Sequence, residues 1–179
     1  KLAIAAQNQA LPKVIIPVHF SGRSCDMRSI HALAQKYGCL IIEDAAHAMG
    51  GMTDGRPIGC CQYSELTVFS FHPVKLMTTG EGGAVTTQNP SLHHKIQALR
   101  SHGIVRDPTA WANPSQGGWY YEQQMLGLNY RITDFQCALG LSQLQRLSQW
   151  HQLRLAHVLR YHEALSTLPI VRPEPSSAS

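Results

Sequence analysis

One lysine, Lys75, stands between two short apolar runs, residues 66–69 and 84–87, in a chain of 179 residues. A hydroxyl, Ser70, lies five residues before it, and a glycine cluster that begins at Gly80 lies five to eight residues after it. Burying an ammonium group between strands is costly unless a site uses it. A lysine held in this way can act as a carbonyl-seeking amine that forms a Schiff base. The stretch alone leaves a solvated loop lysine equally open.

A carboxylate, Asp44, follows another apolar run at residues 39–42. In parallel sheets, ligands bind beyond the carboxyl ends of the strands, and a carboxylate that emerges from a dry strand needs a cationic partner or hydrogen bonds. Asp44 is therefore a candidate ligand group, although the Ala-rich segment after it also allows the role of a helix N-cap. His47, three residues further on, either lies beside Asp44 or has a structural role.

Alternating strands and helices must position these residues. The continuous apolar run at 14–19 predicts a strand buried on both faces, and residues 25–37 predict a helix with Asp26 as its N-cap and Gly38 just after its end. Together with the strand at 39–42 they form a βαβ unit, whose two strands are parallel. The predicted fold class is therefore α/β, with a mostly parallel sheet and flanking helices.

Beyond the βαβ unit, the sequence predicts one hairpin, three helices and a long loop. A turn at Asp54 and Gly55 predicts a hairpin tip, and apolar stripes predict helices at 91–101, 133–144 and 147–165, with Thr133 as the N-cap of the middle one. Residues 103–128 form a long loop with several aromatic residues, and loops of that length are usually functional or disordered. The Pro- and Ser-rich end, residues 169–179, is predicted to be frayed.

Composition excludes several classes of protein. The net charge of +4 comes without a basic block, so nucleic acid is not an expected partner. No apolar run approaches the length of a membrane span, and the first residues carry no secretory signal. The five cysteines are scattered and odd in number, which indicates reduced thiols of a cytoplasmic protein and no metal site. No Gly-Lys-Ser/Thr follows the glycine cluster, which argues against a phosphate-loop nucleotidase.

Four motifs together resemble one known family. They are Glu-Asp-Ala-Ala-His-Ala at 43–48, Ser-Phe-His-Pro-Val-Lys at 70–75, Thr-Gly-Glu-Gly-Gly at 79–83 and Leu-Asn-Tyr-Arg at 128–131. In this order and spacing they are similar to the pyridoxal 5'-phosphate (PLP) dependent sugar aminotransferases of the DegT/DnrJ/EryC1/StrS family, whose large domain has fold type I. The motifs at 70–75 and 79–83 most resemble those of the branch that aminates UDP-4-keto-6-deoxy-N-acetylhexosamines, and within it those of the transaminase of the pseudaminic-acid pathway.

The resemblance implies roles for the residues already singled out. Lys75 matches the lysine that bonds the cofactor and later moves a proton. Asp44 matches the acid that pairs with the pyridine nitrogen and keeps it protonated, so that the ring can act as an electron sink. His47 matches a position near the ring, Ser70 a hydroxyl that holds the cofactor phosphate, and Asn129 an amide that reaches the phosphate of the neighbouring subunit.

The same resemblance implies the substrates and the assembly. It predicts a homodimer with shared active sites, a nucleotide-sugar acceptor, glutamate as the amino donor and a ping-pong reaction. Arg131 and His72 are candidate substrate contacts. A dehydratase relative would carry histidine in place of Lys75. The remaining alternative is a catalytically incompetent fragment that only dimerises or binds ligand.

The resemblance also predicts how the chain is divided. Residues 1–146 match the lysine-bearing half of the PLP-binding large domain, and residues 147–168 match an interdomain helix that leads to a missing C-terminal domain. Residues 169–179 are expected to be a disordered tail. No segment matches the family's upstream turn that binds the phosphate or its ring-stacking aromatic residue. We therefore expect a family core cut at both ends.

Overall fold

A four-stranded sheet organises the chain in the computed structural model, which describes residues 1–173. The strands are β1 (Val14–Ile15), β2 (Leu40–Asp44), β5 (Leu66–Ser70) and β6 (Gly83–Thr86), in the order β1-β2-β5-β6. The pairs β1-β2 and β2-β5 are parallel, and β5-β6 is antiparallel. The predicted α/β class with a mostly parallel sheet is confirmed.

The predicted βαβ unit forms the best-packed part of the molecule. After the short helix α1 (Leu2–Gln7), helix α2 (Met27–Tyr37) begins at Asp26, whose side chain accepts from the Ser29 amide, and ends at Gly38 in the left-handed conformation. Met27 is 1% exposed and packs with other buried side chains of this unit, namely Ala34 of α2, Cys39 just before β2, and Ile41 of β2. Burial of one such side chain contributes about 1.5–3 kcal/mol, so this face fixes α2 on the sheet.

The first strand is shorter and less covered than its sequence predicts. Regular pairing in β1 ends at Ile15 and returns only as an isolated bridge between Val18 and Asp44, because Pro17 has no N–H to donate to a ladder. Beyond it, Pro17 and His19 are buried, whereas Ile16 and Val18 are 60% and 44% exposed. The prediction of a strand at 14–19 buried on both faces is therefore wrong in length and in cover, since only one face lies against the protein.

The lysine loop, which we define as residues 71–82, is the connection of a hairpin between β5 and β6. Ser70 lies opposite Gly83 in the register of this antiparallel pair, and the Phe71 amide donates to the Gly82 carbonyl. A smaller hairpin pairs β3 (Met52–Thr53) with β4 (Arg56–Pro57). It turns at Asp54 and Gly55, both with positive φ as predicted for that dipeptide.

The predicted loop at 103–128 carries regular structure. It follows α3 (Pro90–Leu99), which starts one residue earlier and ends two residues earlier than predicted. Strands β7 (Ile104–Val105) and β8 (Glu122–Gln123) pair antiparallel within it. Glu122 holds the segment between them, since its carboxylate accepts from the Ala112 amide and the Tyr120 hydroxyl among others. These hydrogen bonds lower the pKa of Glu122 to about 2, and the bond from the Ala112 amide contributes most.

Two helices complete the described chain. Helix α4 (Asp134–Leu144) starts at Thr133 in a capping box with Gln136, which confirms the predicted N-cap. Helix α5 (Leu147–Ala164) has no fully buried residue. Among residues 1–173, no helix is long and apolar enough to cross a membrane. The predicted tail at 169–179 lies outside the described residues from position 174 onward.

Candidate active site

Asp44 lies at the carboxyl end of β2, as predicted. It pairs with Val68 of β5 in the parallel register and forms an isolated bridge with Val18. Its Oδ1 atom accepts from the Ala46 amide at 3.0 Å, and turns rather than a helix follow it. The alternative role as a helix N-cap is therefore wrong. Its other oxygen, Oδ2, accepts no hydrogen bond from residues 1–173 and can face a cationic ligand.

A buried polar network lies directly beside Asp44. The preceding residue, Glu43, is 5% exposed, and His19 is fully buried. The His19 Nε2 atom lies 2.8 Å from Glu43 Oε2, while Ser64 and Thr67 donate to Glu43 Oε1. Burial alone raises the pKa of Glu43, but the hydrogen bonds from His19, Ser64 and Thr67 outweigh it and leave that pKa lowered. Glu43 is thus a carboxylate held charged inside the protein.

His19 joins this network to the backbone of Asp44. Its Nδ1 atom accepts from the Cys25 amide at 3.1 Å, so in the neutral ring Nε2 carries the proton and donates to Glu43. Its own amide donates to the Asp44 carbonyl at 3.0 Å, and the Asp44 amide donates to the Pro17 carbonyl at 2.9 Å. The end of β2 is therefore fixed by main-chain contacts with Pro17 and His19 and by the side-chain contact of His19 with Glu43.

The strand next to β2 delivers the lysine loop to the same edge of the sheet. Since Asp44 pairs with Val68 of the parallel strand β5, Ser70 lies two residues further along that strand. Its Oγ atom accepts from the His72 amide at 3.4 Å. The Lys75 amide donates to the His72 carbonyl at 2.9 Å, and the Lys75 residue is half-buried. The topology thus brings Asp44, Ser70 and Lys75 to one edge.

One face of α4 holds the lysine loop in place. Gln143 accepts from the Thr78 amide at 2.8 Å, and Gln136 donates to the Glu81 carbonyl at 2.8 Å. Between them, Gly140 is buried so close to Thr79 that a Cβ atom there would lie 2.9 Å from Thr79 Cγ2. Positions 136, 140 and 143 lie on one side of a helix, so this face is shaped for the loop.

The glycine cluster of the loop has a steric reason. A Cβ atom at Gly82, whose φ is +151°, would lie 2.4 Å from Thr79 Oγ1, and one at Gly83 would lie 2.6 Å from the Phe69 carbonyl oxygen. These distances are too short for any side chain. The glycines therefore allow the loop to close on β5. This steric role explains the glycine cluster without a phosphate-binding loop.

The other predicted site residues are arranged around this edge. His47 Nδ1 accepts from the Ser21 amide at 3.4 Å, and its ring packs edge-on against Phe20. His72 Nδ1 accepts from the Val74 amide at 3.3 Å, while its Nε2 atom lies 3.9 Å from Glu81 Oε1. His72 is thus held within the lysine loop itself.

Asn129 and Arg131 lie on a different part of the chain. Asn129 is exposed and forms an isolated antiparallel bridge with Ser101 at the base of the 103–128 segment. Arg131 lines a cavity with Glu81 and Gln136, whereas Lys75 lines a separate cavity against α5. The chain therefore places its predicted site residues in two groups. Among residues 1–173, no group of three or more His, Cys, Asp or Glu side chains could hold a metal ion.

This α/β chain, with a carboxylate and a hydroxyl at adjacent strand ends and a lysine in the loop that follows, matches one family model over residues 2–179. The chain belongs to the DegT/DnrJ/EryC1/StrS aminotransferase family. It is 42% identical over 158 residues, 88% of this chain and 40% of the relative, to the spore coat polysaccharide biosynthesis protein SpsC of Bacillus subtilis. The predicted family is confirmed.

Solved structures give the same result. Helicobacter pylori PseC, an aminotransferase involved in the biosynthesis of pseudoaminic acid, is similar with a TM-score of 0.80 and 32% identity, over 90% of this chain and 40% of that one. The PMP form of the sugar aminotransferase Spr1654 from Streptococcus pneumoniae has a TM-score of 0.75 and 28% identity, over 96% and 49% of the two chains. The chain thus spans about 40% of the length of SpsC and PseC.

These relatives confirm the predicted fold type I, and the family to which the chain belongs is one of PLP-dependent sugar aminotransferases. The residues of this chain fit the cofactor. A carboxylate with a free oxygen suits a protonated ring nitrogen, a hydroxyl suits a phosphate, and an amine suits an aldehyde. Asp44, Ser70 and Lys75 provide these three groups at one sheet edge.

Sequence reasoning missed two features of the site. The first is the His19 and Glu43 pair, because His19 ended an apolar run and its partner lies 24 residues away. The second is the contact of α4 with the lysine loop. The small, buried Gly140 within an otherwise helical pattern was the signal available for it, since an isolated glycine in a helix often marks a close approach.

Proposed function

We propose that this chain forms the lysine-bearing part of a PLP-dependent aminotransferase that moves an amino group from glutamate to the 4-keto carbon of a nucleotide-linked 6-deoxy sugar. The observation that carries the proposal is that Asp44 and Ser70 end the adjacent parallel strands β2 and β5, and that Lys75 lies in the loop that follows Ser70. This is the edge at which parallel sheets bind ligands.

Each residue has a role that follows from its chemistry. Lys75 Nζ would hold the cofactor covalently and would also serve as the acid-base group that moves a proton between the amino-acid carbon and carbon C4′ of the cofactor. Asp44 Oδ2 would keep the ring nitrogen protonated, and Ser70 Oγ would bind the phosphate. His47 contacts the ring, and His72 and Arg131 contact the substrate. When bound, PLP supplies a ring that accepts the electrons of the broken bond.

The separation of the two groups of residues supports a shared active site. Asn129 and Arg131 lie on the 101–131 part of the chain, away from the cavity that Lys75 lines. We propose a homodimer in which Asn129 of one subunit reaches the cofactor phosphate held by Lys75 of the other. Arg131 of the same subunit as Asn129 then contacts the substrate. A two-stage, ping-pong reaction follows from a cofactor that is loaded by glutamate before the sugar binds.

The sugar branch and the location in the cell are also part of the proposal. The motif at 70–75 and the similarity to PseC support a UDP-4-keto-6-deoxy-N-acetylhexosamine of pseudaminic-acid biosynthesis. All five cysteines are free thiols, which supports the cytoplasm. We further propose that residues 1–146 belong to the large domain and that 147–168 form the interdomain helix.

The experiment is a titration of the purified chain with PLP. We expect the yellow absorbance of lysine-bound cofactor to appear, to bleach when glutamate is added, and to be absent in Lys75→Ala. Lys13→Ala, which removes an exposed lysine before β1, is the matched control and should keep the band. A Lys75→Ala protein with an unchanged band would refute the role of the lysine. A folded wild-type chain without any band would favour the alternative, an incompetent fragment that only dimerises or binds ligand.

A further inference from the structure

A cavity of about 430 Å³ lies between the lysine loop and helix α5. This volume is within the range of small-molecule sites. Lys75 lines the cavity from the loop side. Four residues of α5 line its opposite wall, namely Trp150, Leu153, Arg154 and His157. The lysine of the candidate active site therefore shares a cavity with two basic side chains of α5.

The four α5 residues form one face of the helix. Positions 150, 154 and 157 are separated by four and three residues, and position 153 lies next to 154, so all four point to the same side. Trp150 is half-buried, whereas Arg154 and His157 are exposed. Arg160, three residues beyond His157, is also exposed but does not line the cavity. The helix therefore presents one particular basic face to the lysine loop.

Helix α5 is anchored beside the candidate active site at its first turn. Leu147, its first residue, packs against the turns that follow Asp44, since a Cβ atom at Gly50 would lie 3.3 Å from Leu147 Cδ2. The lysine loop is held from the other side, because the Thr78 amide donates to Gln143 of α4 at 2.8 Å, and both of these residues also line the cavity. The cavity is therefore bounded by elements fixed to both parts of the candidate site.

The charge of the α5 wall is not neutralised by the described part of the chain. Neither Arg154 nor His157 makes a salt bridge to a residue between positions 1 and 173. Among the same residues, no Asp or Glu side chain lines the cavity. Apolar neighbours such as Trp150 and Leu153 limit the screening of charge by water. A basic cavity with such a lining attracts a small anion.

We propose that Arg154 and His157 bind a carboxylate of the amino-acid donor beside Lys75, an inference that rests on the proposed function. The planar guanidinium of Arg154 can form two parallel hydrogen bonds with a carboxylate, and the imidazole of His157 adds a further N–H donor. An amino acid held by its carboxylate in this cavity keeps its amino group near the lysine loop. Arg154 and His157 are then specificity residues that favour amino acids over simple amines.

Two reagents that differ by a carboxylate test the proposal on the PLP-loaded chain. Hydroxylamine and aminooxyacetate both remove the yellow band: the nitrogen of the reagent replaces Lys75 Nζ on the aldehyde carbon, and its two protons end on the freed lysine amine. We expect the ratio of the aminooxyacetate rate constant to the hydroxylamine rate constant to fall by about tenfold or more in Arg154→Gln. Arg154→Lys, which keeps the charge without the planar fork, should lose less. The matched control, Arg160→Gln, should keep the ratio within about twofold of wild type.

Binding to the cofactor-free chain gives an independent readout. Glutarate carries the two carboxylates of glutamate without its amine, and pentanediamide is the uncharged counterpart. The titration follows the nuclear magnetic resonance signal of the His157 ring, which is identified by its loss in His157→Gln. We expect saturation by glutarate and not by pentanediamide, with binding about tenfold weaker in Arg154→Gln and unchanged in Arg160→Gln. Circular dichroism should match across these variants, because the substituted side chains are exposed.

Three results would overturn the proposal: a wild-type rate ratio or glutarate affinity in Arg154→Gln, an equal loss in Arg160→Gln, or binding of pentanediamide as tight as that of glutarate. The failure of the proposed function is a separate result. If the wild-type chain lacks the yellow band, the aminotransferase proposal fails, and the glutarate titration alone decides whether the carboxylate site exists. If the band is present and Arg154→Gln behaves as wild type, only the carboxylate site fails.

Discussion

Removal of the His19 side chain should strongly destabilise the chain. His19→Ala leaves the carboxylate of Glu43, 5% exposed, without its imidazole donor, and opens a cavity at a fully buried position. The remaining hydroxyl donors, Ser64 and Thr67, both bond to Oε1, so Oε2 loses its partner. A charged oxygen would then be buried without a hydrogen bond, which is among the most costly changes a core can suffer.

The expected magnitude follows from the burial of both partners. Removing one member of a buried pair costs about 3–5 kcal/mol, a large part of the roughly 5–15 kcal/mol that stabilises a typical domain. With a urea slope of about 2 kcal/mol per M, the unfolding midpoint should fall by about 2 M. His19→Gln, which keeps an N–H donor near Glu43, should lose distinctly less.

Urea unfolding followed by circular dichroism measures both variants, with Arg28→Ala as the control. Arg28 forms an exposed ion pair with Asp54, in which the Arg28 side chain is 75% exposed. Its removal should leave the midpoint almost unchanged, because exposed pairs contribute little. The reasoning would be refuted by a His19→Ala midpoint no lower than that of Arg28→Ala. Equal losses in His19→Ala and His19→Gln would show that packing, and not the hydrogen bond to Glu43, dominates.

Three further predictions concern other contacts. Because folding lowers the pKa of Glu43, the unfolded chain binds more protons in acid. The stability that Glu43 contributes is therefore complete above its ordinary pKa and is lost as the pH falls through the lowered pKa. Glu43→Gln should flatten this pH dependence of the urea midpoint. Gly103→Ala would place a Cβ atom 1.7 Å from the Met125 carbonyl oxygen at a φ of +71°, so its thermal midpoint should fall by several degrees in calorimetry. Gly140→Val should push Thr79 and the lysine loop away from α4, and PLP titration should show several-fold weaker binding; unchanged affinity would contradict a role of α4 in holding the loop.

The parts of the fold that the sequence predicted well are governed by local rules. Asp26 and Gly38 delimit α2, Asp54 turns a hairpin, and Thr133 starts α4, each through contacts within a few residues. The place of Asp44 followed from topology, because ligand sites lie at the carboxyl ends of parallel strands. Such features need no knowledge of distant segments.

The parts that the sequence did not predict depend on distant partners. The apolar run at 14–19 suggested a strand buried on both faces, but which faces are buried depends on how distant elements pack. Pro17 also ends the regular pairing after Ile15. His19 bonds to Glu43 across 24 residues, and Gly103 contacts Met125 across 22, so neither pairing has a local signal. The role of Asn129 depends on a second subunit, which the pattern of one chain cannot position.

The connection of β5 to β6 by the lysine loop bears on the order in which the site assembles. Of the sheet's pairings, β5 with β6 joins the segments nearest in sequence, whereas β1 must find β2 across α2, and β2 must find β5 across the small hairpin and the turns around it. Local pairings close with less loss of chain entropy and form faster. Ser70 and Lys75 should therefore acquire their relative positions before Asp44 docks beside them. In pulsed hydrogen exchange during refolding, the Ala84 amide in β6, which faces Phe69 of β5, should be protected earlier than the Ala45 amide, which donates to the Val68 carbonyl of β5.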